Sequence, residues 1–269
     1  MNALPVIGAI WKAGLLSAVS YRMRFTLSLA SVVLTVIPMF FVARALQPMM
    51  GGIIEAEGAR YFDFLIIGFV CLSLVQVSLS ALPNQVAGDI QNGFFETISG
   101  TPAGVPAVLA GLVAYPASHA LFKQVASVGT ALLFGMHFDL QRLPEAALII
   151  VLLIVTHVGV GLVATAGVIA FRSTLALPEL MLAGSALLGG VYWPTSVIPS
   201  WIQRISDVLP VSYGLRALRK TALAGESLGA VREEVIALAG FAVFWIAVGA
   251  MAMAAGMSYA RRRGSLSQY

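Results

Sequence analysis

Apolar residues dominate this chain in long runs separated by short polar joints. Runs free of Asp, Glu, Lys and Arg occupy 25–43, 64–82, 146–171 and 235–260. Another fills 180–192 and extends back to Ser173 across Glu179. A helix needs about 20 such residues to cross a hydrocarbon core about 30 Å thick, so each run reads as a membrane span. The stretch 103–138 is too long for one span and too short for two with a turn, and Lys123 is its only formal charge. It reads as an approach helix ending near Gly111 and a span over 112–136. The expected elements are an interfacial helix over 4–24, spans over 25–46, 62–82, 112–136, 146–171, 173–192 and 235–260, a helix over 88–111, and external helices over 193–232.

Three stretches outside the spans carry a pattern. In the first, Ile7, Ile10, Trp11, Leu15, Ala18 and Val19 recur at helical spacing, with Lys12, Ser17 and Ser20 off that face. Such a Trp-bearing helix lies on the membrane, and interfacial partitioning alone accounts for it. In the second, Ile90, Phe94 and Ile98 fall four apart and with Phe95 form an apolar edge flanked by Asp89 and Glu96, with Gly100 and Pro102 as stops. Either the chain's own helices or another protein receives that edge. In the third, Gly, Pro, Tyr192 and Trp193 precede a stripe of Ile198, Trp201, Ile202, Ile205, Val208 and Leu209 stopped by Pro210. Leu215 and Leu218 then oppose Arg216, Arg219 and Lys220, which predicts two short amphipathic helices that dip into the outer leaflet or cap the spans. An aromatic belt without a transport role fits the same spacing.

Composition narrows the class. The 269 residues are 59% hydrophobic and 10% charged, against about 25% charged in soluble domains. With a mean hydropathy of +0.92, a cytosolic enzyme, a disordered chain and a nucleic-acid binder are excluded. The balance of 16 Lys and Arg against 12 Asp and Glu reports topology and anionic headgroups. Lys12, Arg22 and Arg24 at one end and Arg261, Arg262 and Arg263 at the other place both termini in the cytoplasm. Arg204, Arg216, Arg219, Lys220 and Arg232 run against that rule, in the company of Asp207, Glu226, Glu233 and Glu234. Residues 25–43 mimic a secretory signal, with Ala43-Arg44-Ala45 as a cleavage site, but their length and Pro38 favour a retained anchor. Cys71 reads as a buried thiol. No composition break marks a second domain.

Several chemistries find no support. None of Lys12, Lys123 and Lys220 follows a glycine, so the chain has no phosphate-cradling loop and ATP would have to act from elsewhere. His119, His137 and His157 lack metal-ligand spacing. A membrane protease pairing of Ser185 with His157 can be drawn, but serines in spans commonly bond their own or a neighbouring helix. Lys123 and Glu179 are the ionisable groups inside spans, each costing about 2.5–3.5 kcal/mol if it faces lipid at mid-depth. Snorkelling to an interface and lining a path both fit them. An ion-coupled carrier and a membrane-embedded enzyme remain as readings from other classes.

Taken together, the three patterned stretches resemble the permease subunits of ABC-2 type exporters over nearly the whole chain. Tyr61-Phe62-Asp63-Phe64-Leu65 with Gly68 resembles the start of that family's span two. Gly93, Glu96 and Thr101-Pro102 resemble its coupling pattern. Residues 189–199 with Leu209-Pro210 and 215–219 resemble its external loop. Asn92 stands where many members carry a basic residue, and Phe94-Phe95 replaces the usual Thr-Leu, so the docking groove on the ATPase is expected to be more apolar or specific to one partner. The resemblance implies an all-α integral membrane fold: six transmembrane helices, an N-terminal interfacial helix, a cytoplasmic coupling helix and two short external re-entrant or amphipathic helices. It assigns Asp89, Ile90, Gln91, Gly93, Phe94, Phe95 and Glu96 to contact with a cytosolic ABC ATPase present in two copies. No cofactor is expected on this chain, with ATP and Mg on that ATPase. A second permease, identical or homologous, completes the twelve spans, with membrane lipid and no nucleic acid as the other partner, in the cell (inner) membrane. The translocation path is expected along spans one, two and five, at Pro38, Phe40, Phe41, Gln76, Glu179, Tyr192 and Trp193. A hydrophobic or amphipathic cargo is expected because the spans carry few charges and no aromatic ladder; a polysaccharide or lipid-linked glycan is the alternative.

Overall fold

Long apolar runs with no internal stop become long helices. The computed structural model describes residues 3–55, 60–93, 105–173 and 176–262. They form α1 (Ala3–Ser20), α2 (Arg22–Met50), α3 (Tyr61–Gln91), α4 (Val105–Leu133), α5 (Leu143–Phe171), α6 (Leu177–Leu188), α7 (Ser200–Ser206), α8 (Pro210–Ala222) and α9 (Arg232–Arg262). Two 3-10 turns, Leu140–Arg142 and Thr195–Val197, complete the regular structure, and no strand occurs among the described residues. The chain is an all-helical membrane protein, and Phe25–Met50, Tyr61–Gln91, Leu140–Phe171 and Arg232–Arg262 are long and apolar enough to cross a bilayer.

Local chemistry sets the boundaries. The first amide of α3 has no intrahelical partner and donates instead to Gln47 Oε1 of α2 at 2.7 Å. Pro144 opens α5 beside Glu145, which Arg142 holds at 3.1 Å. Helix α9 carries Glu233 and Glu234 in its first turn and Arg261 and Arg262 in its last, each matched to the helix dipole.

Four boundaries differ from the sequence reading. Span one is helical to Met50, and the interfacial helix parts from it at Tyr21 rather than after residue 24. Span two, expected over 62–82, runs on to Gln91 because Pro83 is accommodated within the helix, so Asp89, Ile90 and Gln91 form its last turn rather than part of a separate helix over 88–111. The approach helix and span three are one helix, α4, with Pro116 inside it. The fifth apolar run, expected over 173–192, yields only 12 helical residues. Pro178 starts α6, and Gly189-Gly190 ends it, with Gly190 at φ 85°, a left-handed conformation that glycine adopts freely.

Burial is uneven. Helices α3 and α5 form the core, with Phe64, Ile66, Leu79 and Ile149 fully enclosed. Helix α9 packs along α5 through small residues. A side chain at Gly249 would run into the Gly159 carbonyl, and one at Gly256 would meet the Ala166 carbonyl at 2.8 Å. Close backbone approach of this kind holds helices together in lipid, where hydrophobic exclusion does not act between them. His157 sits inside this core with Nδ1 2.7 Å from the Leu153 carbonyl, and neither His157 nor Ser185 bonds the other. Helix α2 is the least enclosed of the four apolar helices, and α3 the most.

Candidate functional site

Polar residues at helical spacing converge where α2, α3 and α4 meet. Ser73, Gln76, Ser80 and Asn84 follow one stripe of α3, Tyr115, His119, Lys123 and Ser127 one stripe of α4, and Ser31 and Thr35 one stripe of α2. Together with apolar Val32, Phe69 and Val77 they line a groove of about 660 Å³. Three hydroxyls satisfy themselves on their own helices: Ser31 Oγ donates to Ser28 O at 2.7 Å, Thr35 Oγ1 to Ser31 O at 2.8 Å and Ser127 Oγ to Lys123 O at 2.9 Å. Gln124 is buried and its Oε1 has no donor among the described residues. No carboxylate lines the groove, and Lys123 makes no ion pair among the described residues. The stripe interrupts the apolar run of α4, which is 29 residues long but is not one of the four helices apolar enough to cross a bilayer.

Helix α1 is braced directly against the α4 wall. Trp11 Nε1 donates to Ser118 Oγ at 3.0 Å, and Gly14 lets the Tyr115 side chain approach so closely that a Cβ would meet it at 2.9 Å. The Tyr115 ring stacks on His119 at 5.8 Å, and Phe25 at the start of α2 lies 6.1 Å from the same imidazole. Helix α1 is therefore a buttress of the groove.

The opposite end of α3 is closed by Arg219 of α8, which is 1% exposed. Its Nη1 donates to Gly190 O at 2.8 Å, and Nη2 to Phe64 O and Val191 O, each at 3.1 Å. The guanidinium also lies over the Phe64 ring, 3.3 Å from its centre. Gly68 leaves room for this approach, since a side chain there would collide with the Val191 carbonyl. Tyr61 adds a hydrogen bond from its hydroxyl to Tyr192 O at 2.9 Å. The sequence reading put Arg219 on the polar face of its helix opposite Leu215 and Leu218; the structure buries all three, because the rigid guanidinium finds three backbone carbonyls at once.

The residues expected along a path are scattered in the single chain. Gln76 lies in the groove. Phe40 packs on Phe62 and Phe134 at 5.3 and 5.2 Å, while Pro38 and Phe41 point away from the core. Glu179 is exposed at the start of α6, and Tyr192 and Trp193, their rings 6.0 Å apart, are exposed beyond its other end. Of the residues expected to meet an ATPase, Asp89 is buried and accepts a hydrogen bond from Gln85 Nε2 at 3.2 Å, Ile90 packs on the second apolar cluster, and Gln91 and Gly93 are exposed. Phe94, Phe95 and Glu96 lie outside the described residues. Sequence reasoning singled out Gln76 and Lys123 of the groove and missed the rest; polar positions plotted on each helix would have shown the three stripes.

The sequence pattern of the ABC-2 type transporter family matches residues 6–223. The linearmycin resistance permease protein LnrN of Bacillus subtilis is 28% identical over 129 residues, covering 48% of this chain and 33% of that protein. The chain thus spans about a third of the length of the curated relative it matches.

Proposed function

We propose, from the premise that the chain belongs to the ABC-2 type transporter family, that it is the membrane-spanning half of an ATP-driven exporter of hydrophobic or amphipathic molecules. The observation that carries the reading is the polar groove of α2, α3 and α4 inside an otherwise apolar helical bundle. The name of the relative, a resistance permease, favours a drug-like cargo over a glycan. In this reading α2 to α6 and α9 make six spans, with α6 completed by its flanks, and the ends of α3 and α9 face the cytoplasm. The single domain 1–269 then pairs with a second permease, identical or homologous. ATP and Mg belong to two copies of a cytosolic ATPase.

The mechanism follows from which helices the ATPase can reach. Asp89 to Glu96 lie in sequence between the last turn of α3 and α4, so a push delivered there acts on two walls of the groove together. Gln91, Gly93, Phe94, Phe95 and Glu96 make the contact, whereas Asp89 and Ile90 anchor the end of α3 from within. Helix α1, tied to α4 through Trp11 and Ser118, moves with that wall. The far end, clamped by Arg219, serves as the fixed point. Substrate loaded between α2, α3 and α4 passes toward the surface shared by the two permeases, where Pro38, Phe41, Glu179, Tyr192 and Trp193 of the two chains meet it.

Co-purification with an ATPase subunit, followed by ATP turnover in lipid vesicles, tests the assignment. The wild-type chain is expected to recruit and stimulate the ATPase, and Phe94→Ala with Glu96→Ala to lose coupling while the membrane domain stays folded. Transport that survives the double substitution would sink the reading in favour of an ion-coupled carrier or channel.

A further inference from the structure

We infer that Lys123 is the anion-recognising residue of a loading site in the α2–α3–α4 groove, and that the molecules loaded there are acidic amphiphiles, an apolar body bearing one carboxylate or phosphate. The substrate class rests on the exporter reading; the anion site rests only on α4 being a span.

Depth is the first observation. At about 1.5 Å per residue, Lys123 lies ~27 Å along α4 from Val105 and ~15 Å from Leu133. With α4 as a span, neither end is within reach of a lysine stem, so snorkelling to an interface does not account for the position. The second observation is the missing counter-ion. Lys123 lines the groove, no Asp or Glu lines it with Lys123, and no ion pair reaches it among the described residues. A cation left at mid-depth without partner or water is strongly unfavourable, and the groove is roomy and polar enough to supply either. The third is Gln124, which is more than nine-tenths buried on the same wall with its carbonyl oxygen lacking a donor. A donor without an acceptor next to an acceptor without a donor suits a headgroup that offers anionic oxygens to Lys123 and a hydroxyl to Gln124. Finally, the groove is amphipathic: Val32, Phe69 and Val77 give an apolar body somewhere to lie within the same walls.

The test uses the purified full chain in phosphatidylcholine vesicles and two photoreactive probes of equal length, a diazirine-bearing fatty acid and the corresponding fatty alcohol. Labelled peptides are mapped by mass spectrometry. The acid is expected to label the peptides that hold 73–84 and 115–127 about tenfold more than the alcohol, the size of one charge-assisted hydrogen bond. Lys123→Gln should bring the acid down to the level of the alcohol, Lys123→Arg should keep most of the preference, and Ser80→Phe should block both probes with the lysine intact. Unfolding midpoints of all three variants establish that each is folded. Equal labelling by acid and alcohol, or a preference that survives Lys123→Gln, overturns the inference. Labelling needs no ATPase, so it stands even if the exporter reading fails. With a coupled ATPase present, ATP-driven movement of the acid that depends on Lys123 identifies cargo. Acid that labels the groove but is not moved while ATP turns over marks a resident lipid and overturns the loading role. Movement indifferent to Lys123 overturns the site and leaves the exporter standing.

Discussion

Two cations contact different parts of the bundle under opposite circumstances. Arg219 is enclosed, its guanidinium shared among three backbone carbonyls and an aromatic face. Lys123 lines an open polar groove with no carboxylate among its described lining residues. A planar, multiply bonded guanidinium spends its charge on fixing structure, because each carbonyl it satisfies is one the bilayer cannot. An ammonium left without partners keeps its charge for something that arrives. The difference teaches that an ionisable residue in an apolar helix is not evidence of function until its partners have been counted.

The largest loss is expected at Arg219. Arg219→Leu strips the hydrogen bonds from Gly190, Phe64 and Val191 and is expected to cost about 3–5 kcal/mol, seen as a collapse of the unfolding midpoint in detergent. Arg219→Lys should rescue little, since one ammonium cannot reproduce the fork. Gly68→Ala attacks the same clamp from the facing helix. With the Val191 carbonyl in the space a methyl would need, a loss of about 2 kcal/mol is expected from the same assay.

Helices α2, α3, α5 and α9 were legible because each is written as an apolar run longer than a bilayer is thick. Helix α6 was not, since the apolar residues continue past Gly189-Gly190, where the backbone turns off the axis. Arg219 was misplaced for a related reason: charge at helical spacing looks like a wet face, and the three carbonyls that reverse the reading come from α3 and the stretch after α6. The groove was half visible. Gln76 and Lys123 stood out as polar residues in spans, but Ser73, Ser80 and Asn84 become a wall only when α3 is known to face α2 and α4.

Lys123→Leu is expected to act with the opposite sign. Removing a cation that has no ion-pair partner among the described residues is expected to leave stability unchanged or raise it by about 1–2 kcal/mol, while abolishing the preference for acidic probes. A loss of stability like that of Arg219→Leu would show that both cations are structural. Trp11→Phe should cost about 1 kcal/mol through the hydrogen bond to Ser118 and loosen α1 from α4, which hydrogen exchange at the start of α4 would report.

The smallest expected effect is at the ion pair between Lys220 and Glu234, 2.9 Å apart, which joins α8 to the first turn of α9. Lys220 stands next to Arg219 in sequence but keeps 31% of its side chain exposed. Water and salt screen such a pair, so Lys220→Gln should lower stability by only about 0.5 kcal/mol, and less at high ionic strength. Adjacent substitutions at 219 and 220 then differ several-fold in the same melting assay. Were they to cost the same, the clamp would owe its strength to net charge near α9 rather than to the carbonyls that the guanidinium satisfies, and the contrast with Lys123 would rest on position alone.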